Sequence, residues 1–178
     1  GKTLIIHNVV TGKIEQRVRL DHLDAPESPA FSPDGRYVAF AALSSGVTDI
    51  YVLDLTSRSV RNVTNDQTAD YAPTFAPDGQ SIVYTARIGG NDKLFRLNLA
   101  TGEREQLTFG AHDDTAARFI DADTLLFTST ATDPEAPLTL EEVRNANIPN
   151  VWTLDLRTGE LKQWTDGMTG NVSPGVLR

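Results

Sequence analysis

The side chains able to do chemistry are few and scattered. The 178-residue sequence has no cysteine and three histidines, His7, His22 and His112. Without thiols there is no disulfide, thiolate nucleophile or zinc–sulfur centre. No two histidines have metal-ligand spacing, and neither a Gly-x-Ser-x-Gly elbow nor a glycine-rich phosphate loop occurs. His112 stands beside Asp113 and Asp114, a pairing suited to acid–base work. No nucleophile accompanies it, so an exposed loop histidine is the expectation. What remains is a set of short polar side chains at one recurring position. Asp70, Asp114 and Asn171 each precede a new β-rich run, with Thr68, His112 and Thr169 two residues earlier. Such a set has two readings. Each side chain caps a turn by bonding its own backbone, which is the preferred reading because such turns are common in loops. Alternatively, the set forms a partial acidic ring able to hold a cation or a basic peptide.

The elements that position these residues follow from a repeat. Pro29-Ala30-Phe31-Ser32-Pro33-Asp34-Gly35 returns 44 residues later as Pro73-Thr74-Phe75-Ala76-Pro77-Asp78-Gly79, and Phe119 follows Phe75 by another 44. Apolar runs follow each: Tyr37 to Phe40, Ser81 to Tyr84 and Leu125 to Phe127. Next come Ile50 to Leu55, Leu94 to Leu99 and Val151 to Leu156. Each unit closes on Val63-Thr64, Leu107-Thr108 or Trp164-Thr165. Four short runs per unit, divided by turn residues, are four strands. In Pro-Asp-Gly, proline presets the turn and glycine accepts positive φ at its end. Thr11-Gly12, Thr101-Gly102 and Thr158-Gly159 predict tight hairpins between the third and fourth strands. Ser57-Arg58 occupies that place in one unit and predicts a less ideal turn.

Four strands in about 44 residues is the period of a propeller blade. The fold class expected is therefore all-β: a β-propeller of four-stranded antiparallel blades, about three and a half of them in an incomplete ring. One segment, 1–178, is expected. It divides into a partial blade at 3–20, blades at 28–65, 72–109 and 116–166, and the start of another at 172–178. Closed rings need about four to eight blades. Open edges invite pairing, so a longer or cleaved parent, or further blades from the same or another chain, is expected.

Phe31 to Phe40 followed by Asp49 to Leu55, and Phe75 to Tyr84 followed by Asp92 to Leu99, resemble the TolB-like, or WD-like, propeller repeat. The third full unit departs from it, with Ile120-Asp121-Ala122-Asp123 in place of Ser-Pro-Asp-Gly. The resemblance implies relatives among periplasmic TolB-type scaffolds, tricorn-like proteases and the propeller domains of prolyl-oligopeptidase-type enzymes. It also implies a periplasmic or secreted setting in the bacterial envelope. Fold alone does not settle which role applies.

If strands A to D run outward from the channel, the A–B and C–D turns share one rim. The B–C loops and D–A connections share the other. That second rim carries Asp70, Asp114, Asn171, His112 and Asp113, the expected binding residues. It also carries an insertion. Phe127 to Trp152 spans 25 residues where Tyr84 to Phe95 spans 11. Within it, Thr139-Leu140-Glu141-Glu142 reads as a capping box, and Arg144 lies in the helical turn that would follow. Leu140, Glu141, Glu142 and Arg144 are the residues such an element would offer a partner, unless the insertion is a tolerated surface excursion. Trp152 and Trp164 are expected to pack between blades.

Composition narrows the partners. A net charge of −8 argues against nucleic acid and anionic lipid. No apolar run approaches the ~20 residues of a membrane span, and no targeting segment is expected within the sequence. The function expected is a non-catalytic scaffold binding a protein or peptide through the loop rim. The alternative is the gating domain of a larger serine peptidase whose catalytic residues lie elsewhere. No cofactor is expected; the acidic set is the feature that would take calcium.

Overall fold

The computed structural model describes residues 2–131 and 148–165. Among these there is no helix, and the chain folds into four antiparallel sheets. A two-stranded sheet comes first, β1 (Lys2–His7) paired with β2 (Ile14–Leu20). Three four-stranded sheets follow. Blade 1 is β3 (Asp24–Phe31), β4 (Tyr37–Ser44), β5 (Val47–Asp54) and β6 (Val60–Asn62). Blade 2 is β7 (Asp70–Phe75), β8 (Ser81–Ile88), β9 (Asn91–Asn98) and β10 (Arg104–Gln106). Blade 3 is β11 (Asp114–Phe119), β12 (Thr124–Ser129), β13 (Asn150–Asp155) and β14 (Leu161–Gln163). Spatial order equals chain order in each blade. β7 touches both β3 and β11, so the first strands of the blades line the inside of the array. The architecture is the incomplete propeller that the repeat implies.

The apolar runs are continuous because both faces of a middle strand are covered. On β4, Val38, Phe40 and Ala42 pack with Val18 and Leu20 of the first sheet. Ala39 and Ala41, pointing the other way, pack with Ile82, Tyr84 and Ala86 of blade 2. Val83 of β8 then faces Ala117, Leu125 and Phe127 of blade 3. The outer strands β6, β10 and β14 are three residues long and largely exposed. Short, polar outer strands limit edge pairing.

The turns behave as their residues dictate. Gly35 donates to the Ser32 carbonyl at 2.9 Å, and the Asp34 carboxylate accepts from the Arg36 amide at 3.0 Å. Gly79 and Asp78 repeat both bonds, and both glycines take φ of 70°. The C–D hairpins share another device. The side chain of Asp54, Asn98 or Asp155 accepts from the two amides that follow it by two and three residues. The residue four beyond then bonds back to its carbonyl in the left-handed region: Gly102 and Gly159 with φ of 75°, but Arg58 with φ of 60°.

Inside the blades the structure adds a feature. Ser28, Ala72 and Ala116 hold equivalent positions, all with positive φ, and each interrupts the β-ladder of its innermost strand. These are β-bulges, placed two residues after Pro26, Asp70 and Asp114. Trp152 packs in the core between blades 2 and 3, as expected. Trp164 does not. It is 60% exposed, its indole N–H donates to Thr153 Oγ1 at 3.0 Å, and Lys162 Nζ sits 4.2 Å from its ring centre. It lies just past the outer strand β14, where no described residue of another blade covers it.

Left-handed backbone costs an L-residue about 1–2 kcal/mol, part of which glycine returns as unfolded-chain entropy. Arg58→Gly is therefore expected to raise stability by roughly 0.5–1 kcal/mol. Urea unfolding reads this as a higher midpoint with an unchanged slope.

Candidate functional site

The D–A connections close each blade onto the next. The threonine ending each unit is the stitch. Thr64, Thr108 and Thr165 accept, through Oγ1, the amides of Ile50, Leu94 and Val151 at 2.9–3.0 Å. Their neighbours are Asp49, Lys93 and Asn150, the residue before each of those amides. All three are at most 5% exposed. This buried position was not singled out from the sequence, although its alternation of Asp, Lys and Asn at one repeat register is visible there.

Between blades 2 and 3 the arrangement is self-neutralised. Lys93 Nζ lies 2.8 Å from Asp114 Oδ2 and also donates to the His112 carbonyl. Asp114 is 1% exposed. His112 Nε2 lies 3.4 Å from the same carboxylate oxygen, and its ring fills the space beside Gly110. His112 is thus half-buried and packed, not the exposed loop histidine expected. Asp113 accepts from the Asp92 amide at 2.9 Å and Asn91 Nδ2 at 3.1 Å, tying the connection to the B–C loop of blade 2. These bonds hold its carboxyl below the usual carboxylate range.

Between blades 1 and 2 the corresponding place has no lysine. Asp49 accepts from Asn62 Nδ2 at 2.8 Å and from Thr64 Oγ1 at 3.1 Å. Asp66 accepts from the Thr68 amide at 2.6 Å and from Arg104. Arg104 also donates to the Thr64 carbonyl. Asp70 is fully buried, and neither of its oxygens has a hydrogen-bond partner among the described residues. Burial pushes its carboxyl up to about 7. Asp66 and Asp49 add repulsion, while Arg104 and the nearby Thr64 hydroxyl, which donates to Asp49, pull the other way. One carboxylate oxygen from each of Asp49, Asp66 and Asp70 lies within 4.8 Å of the others.

Neither reading of the repeated acids survives in simple form. Among the described residues Asp70 and Asp114 do not cap turns: Asp70 has no hydrogen-bond partner, and Asp114 is held by the Lys93 and His112 side chains. They do not form a solvent-facing ring either, because both are buried at blade junctions. The structure brings Asp70 together with Asp49 and Asp66, and Asp114 with His112 and Lys93. Asn171, Leu140, Glu141, Glu142 and Arg144 lie outside the described residues. Elsewhere, an open cleft on blade 2 lined by Asp78, Arg96 and Glu105 holds an Arg96–Glu105 ion pair at 2.5 Å.

Radially ordered four-stranded sheets, stitched by buried polar junctions, define a β-propeller. A family model described as the TolB beta propeller domain matches residues 1–147, and the chain belongs to that family. Among solved structures it is similar to TolB from Acinetobacter baumannii. The identity is 24%, the TM-score 0.68, and 92% of this chain and 38% of that one are covered. A putative TolB from Agrobacterium tumefaciens follows at 20% identity and a TM-score of 0.63, covering 85% and 51%. Puromycin hydrolase matches at 17% identity and a TM-score of 0.65, covering 88% of this chain and 24% of that one. The chain thus spans about two fifths to half the length of the TolB structures. No curated protein sequence matches it significantly.

The junctions make two predictions. Asp70 binds its proton far more tightly folded than unfolded, since its ordinary value is 3.8 and its folded value about 7. Between roughly pH 4 and pH 7 the folded state therefore holds more protons, and stability falls as pH rises through that window. With chelator present, the melting temperature should drop from pH 5 to pH 7.5. Asp70→Asn should flatten that slope and melt higher at pH 7.5. At the other junction, Lys93→Met leaves the Asp114 carboxylate buried without its ammonium. A loss of about 3–5 kcal/mol is expected, partly restored by adding Asp114→Asn, as read by urea denaturation.

Proposed function

We propose that this propeller segment is a non-catalytic scaffold that binds a protein or peptide through the rim carrying its B–C loops and D–A connections. The observation that carries this reading is how the rim's reactive side chains are used. Lys93, Asp113, Asp114 and Asp66 are bound to other parts of the same chain, and Asp70 is fully buried, out of reach of a protein or peptide in solvent. Such a rim offers fixed shape and backbone groups rather than a poised acid, base or nucleophile. The net charge of −8 favours a partner with a basic segment. Membership of the TolB propeller family supports a periplasmic or secreted setting, and no described helix is long and apolar enough to cross a membrane.

The fold shared with puromycin hydrolase supports a second reading, in which the segment admits substrate to the catalytic domain of a larger peptidase. The full reading frame separates the two. A downstream Gly-x-Ser-x-Gly with later Asp and His favours the peptidase role.

Photo-crosslinking tests the binding face. A reactive group placed at Thr68 or Ala111 of the full-length protein should capture a partner from envelope extracts. The same group at Asp34 or Thr101, on the opposite rim, should capture none. Equal capture from both rims would contradict the reading.

A further inference from the structure

We infer that Asp49, Asp66 and Asp70 form a divalent-cation site at the junction of blades 1 and 2, and that calcium is the ion it takes. Three observations carry this beyond a cluster of acids. First, Asp70 is fully buried with both oxygens unpartnered among the described residues, and one of them faces the cluster. A buried carboxylate without donors is costly, and a coordinated cation removes that cost. Second, the spacing fits. Two oxygens bound to one calcium at 2.3–2.6 Å lie no more than about 5 Å apart, and the three carboxylates meet within 4.8 Å.

The third observation comes from the repeat itself. Forty-four residues on, Lys93 stands at the position of Asp49 and Asp114 at the position of Asp70. There the chain supplies its own cation. The Lys93 ammonium contacts Asp114 Oδ2 and the carbonyl of His112, which holds the repeat position of Thr68. Blades 2 and 3 thus show that this junction accommodates a positive charge. Blades 1 and 2 keep the acid and replace the lysine with another acid. Three carboxylates against the single guanidinium of Arg104 leave two negative charges uncompensated, the charge of one divalent ion. The donors are all oxygen, without histidine or cysteine, which selects a hard cation over zinc or copper. Calcium tolerates irregular, carboxylate-rich coordination, whereas magnesium demands a small octahedron and keeps its waters. Bound there, the ion would clasp the B–C side of blade 1, through Asp49, to the first strand of blade 2, through Asp70.

Calorimetric titration of calcium chloride into the chelator-treated full-length protein tests this. Wild type should take up one more calcium per chain than Asp49→Lys, which copies the arrangement of the next junction. Asp70→Asn should lose the same equivalent. Asp49→Lys should also melt higher than wild type without calcium and gain less from adding it. Asp66→Asn alters a side chain that is 29% exposed, so it should fold even where Asp49→Lys does not. It should weaken calcium uptake at least tenfold. Equal calcium stoichiometry and affinity in wild type and variants, or no uptake by wild type, would overturn the inference.

Discussion

The second strands of blades 1 and 2, β4 and β8, are buried on both faces, and that constraint orders the rest. A strand such as β4 cannot be satisfied by its own sheet, because Val38 and Phe40 look one way and Ala39 and Ala41 the other. It needs a neighbour on each side. The same holds for β8, with Tyr84 turned toward blade 1 and Val83 toward blade 3. Stability is therefore shared at the junctions, as in other repeat architectures where each unit contacts only its neighbours.

Joining sheets face to face brings loop ends together, and polar groups at those ends must be satisfied away from water. The Thr64, Thr108 and Thr165 hydroxyls do this for three backbone amides. Behind them lies one buried side-chain position that the chain fills with Asp49, Lys93 and Asn150. One register of the repeat thus carries a negative, a positive and a neutral group. The charge balance at each junction follows from that choice. Where lysine is present the junction is closed electrostatically. Where aspartate is present, Asp70 has no hydrogen-bond partner among the described residues. The polar side chains of these connections thus hold the junctions, as the Lys93–Asp114 ion pair does between blades 2 and 3.

Much of this was legible in the sequence. The 44-residue echo from Phe31 to Phe75 to Phe119 and the Pro-Asp-Gly turns sufficed for strands, blades and their direction, because those features act locally. Asp70, Asp113 and Asp114 stand out in the sequence as polar residues at or just before the start of the innermost strands. Their roles were not legible, since a carboxylate's task depends on depth and partners. The bulges at Ser28, Ala72 and Ala116 went unseen, because a small residue before an innermost run does not by itself announce positive φ. Lys93 was missed for a different reason: it sits between polar Asp92 and apolar Leu94, where a solvent-facing charge is the ordinary expectation. Trp164 ends its unit as an aromatic in a β-rich run, and only the brevity of β14 reveals that it lies at an outer edge.

Native-state hydrogen exchange addresses the shared burial most directly. If the blades hold each other, the amides of β4 and β8 should exchange through a single common opening, with one free energy and one denaturant dependence, while those of β6 and β10 exchange faster. Exchange of β8 at a free energy well below that of β4, through opening of blade 2 alone, would contradict this account.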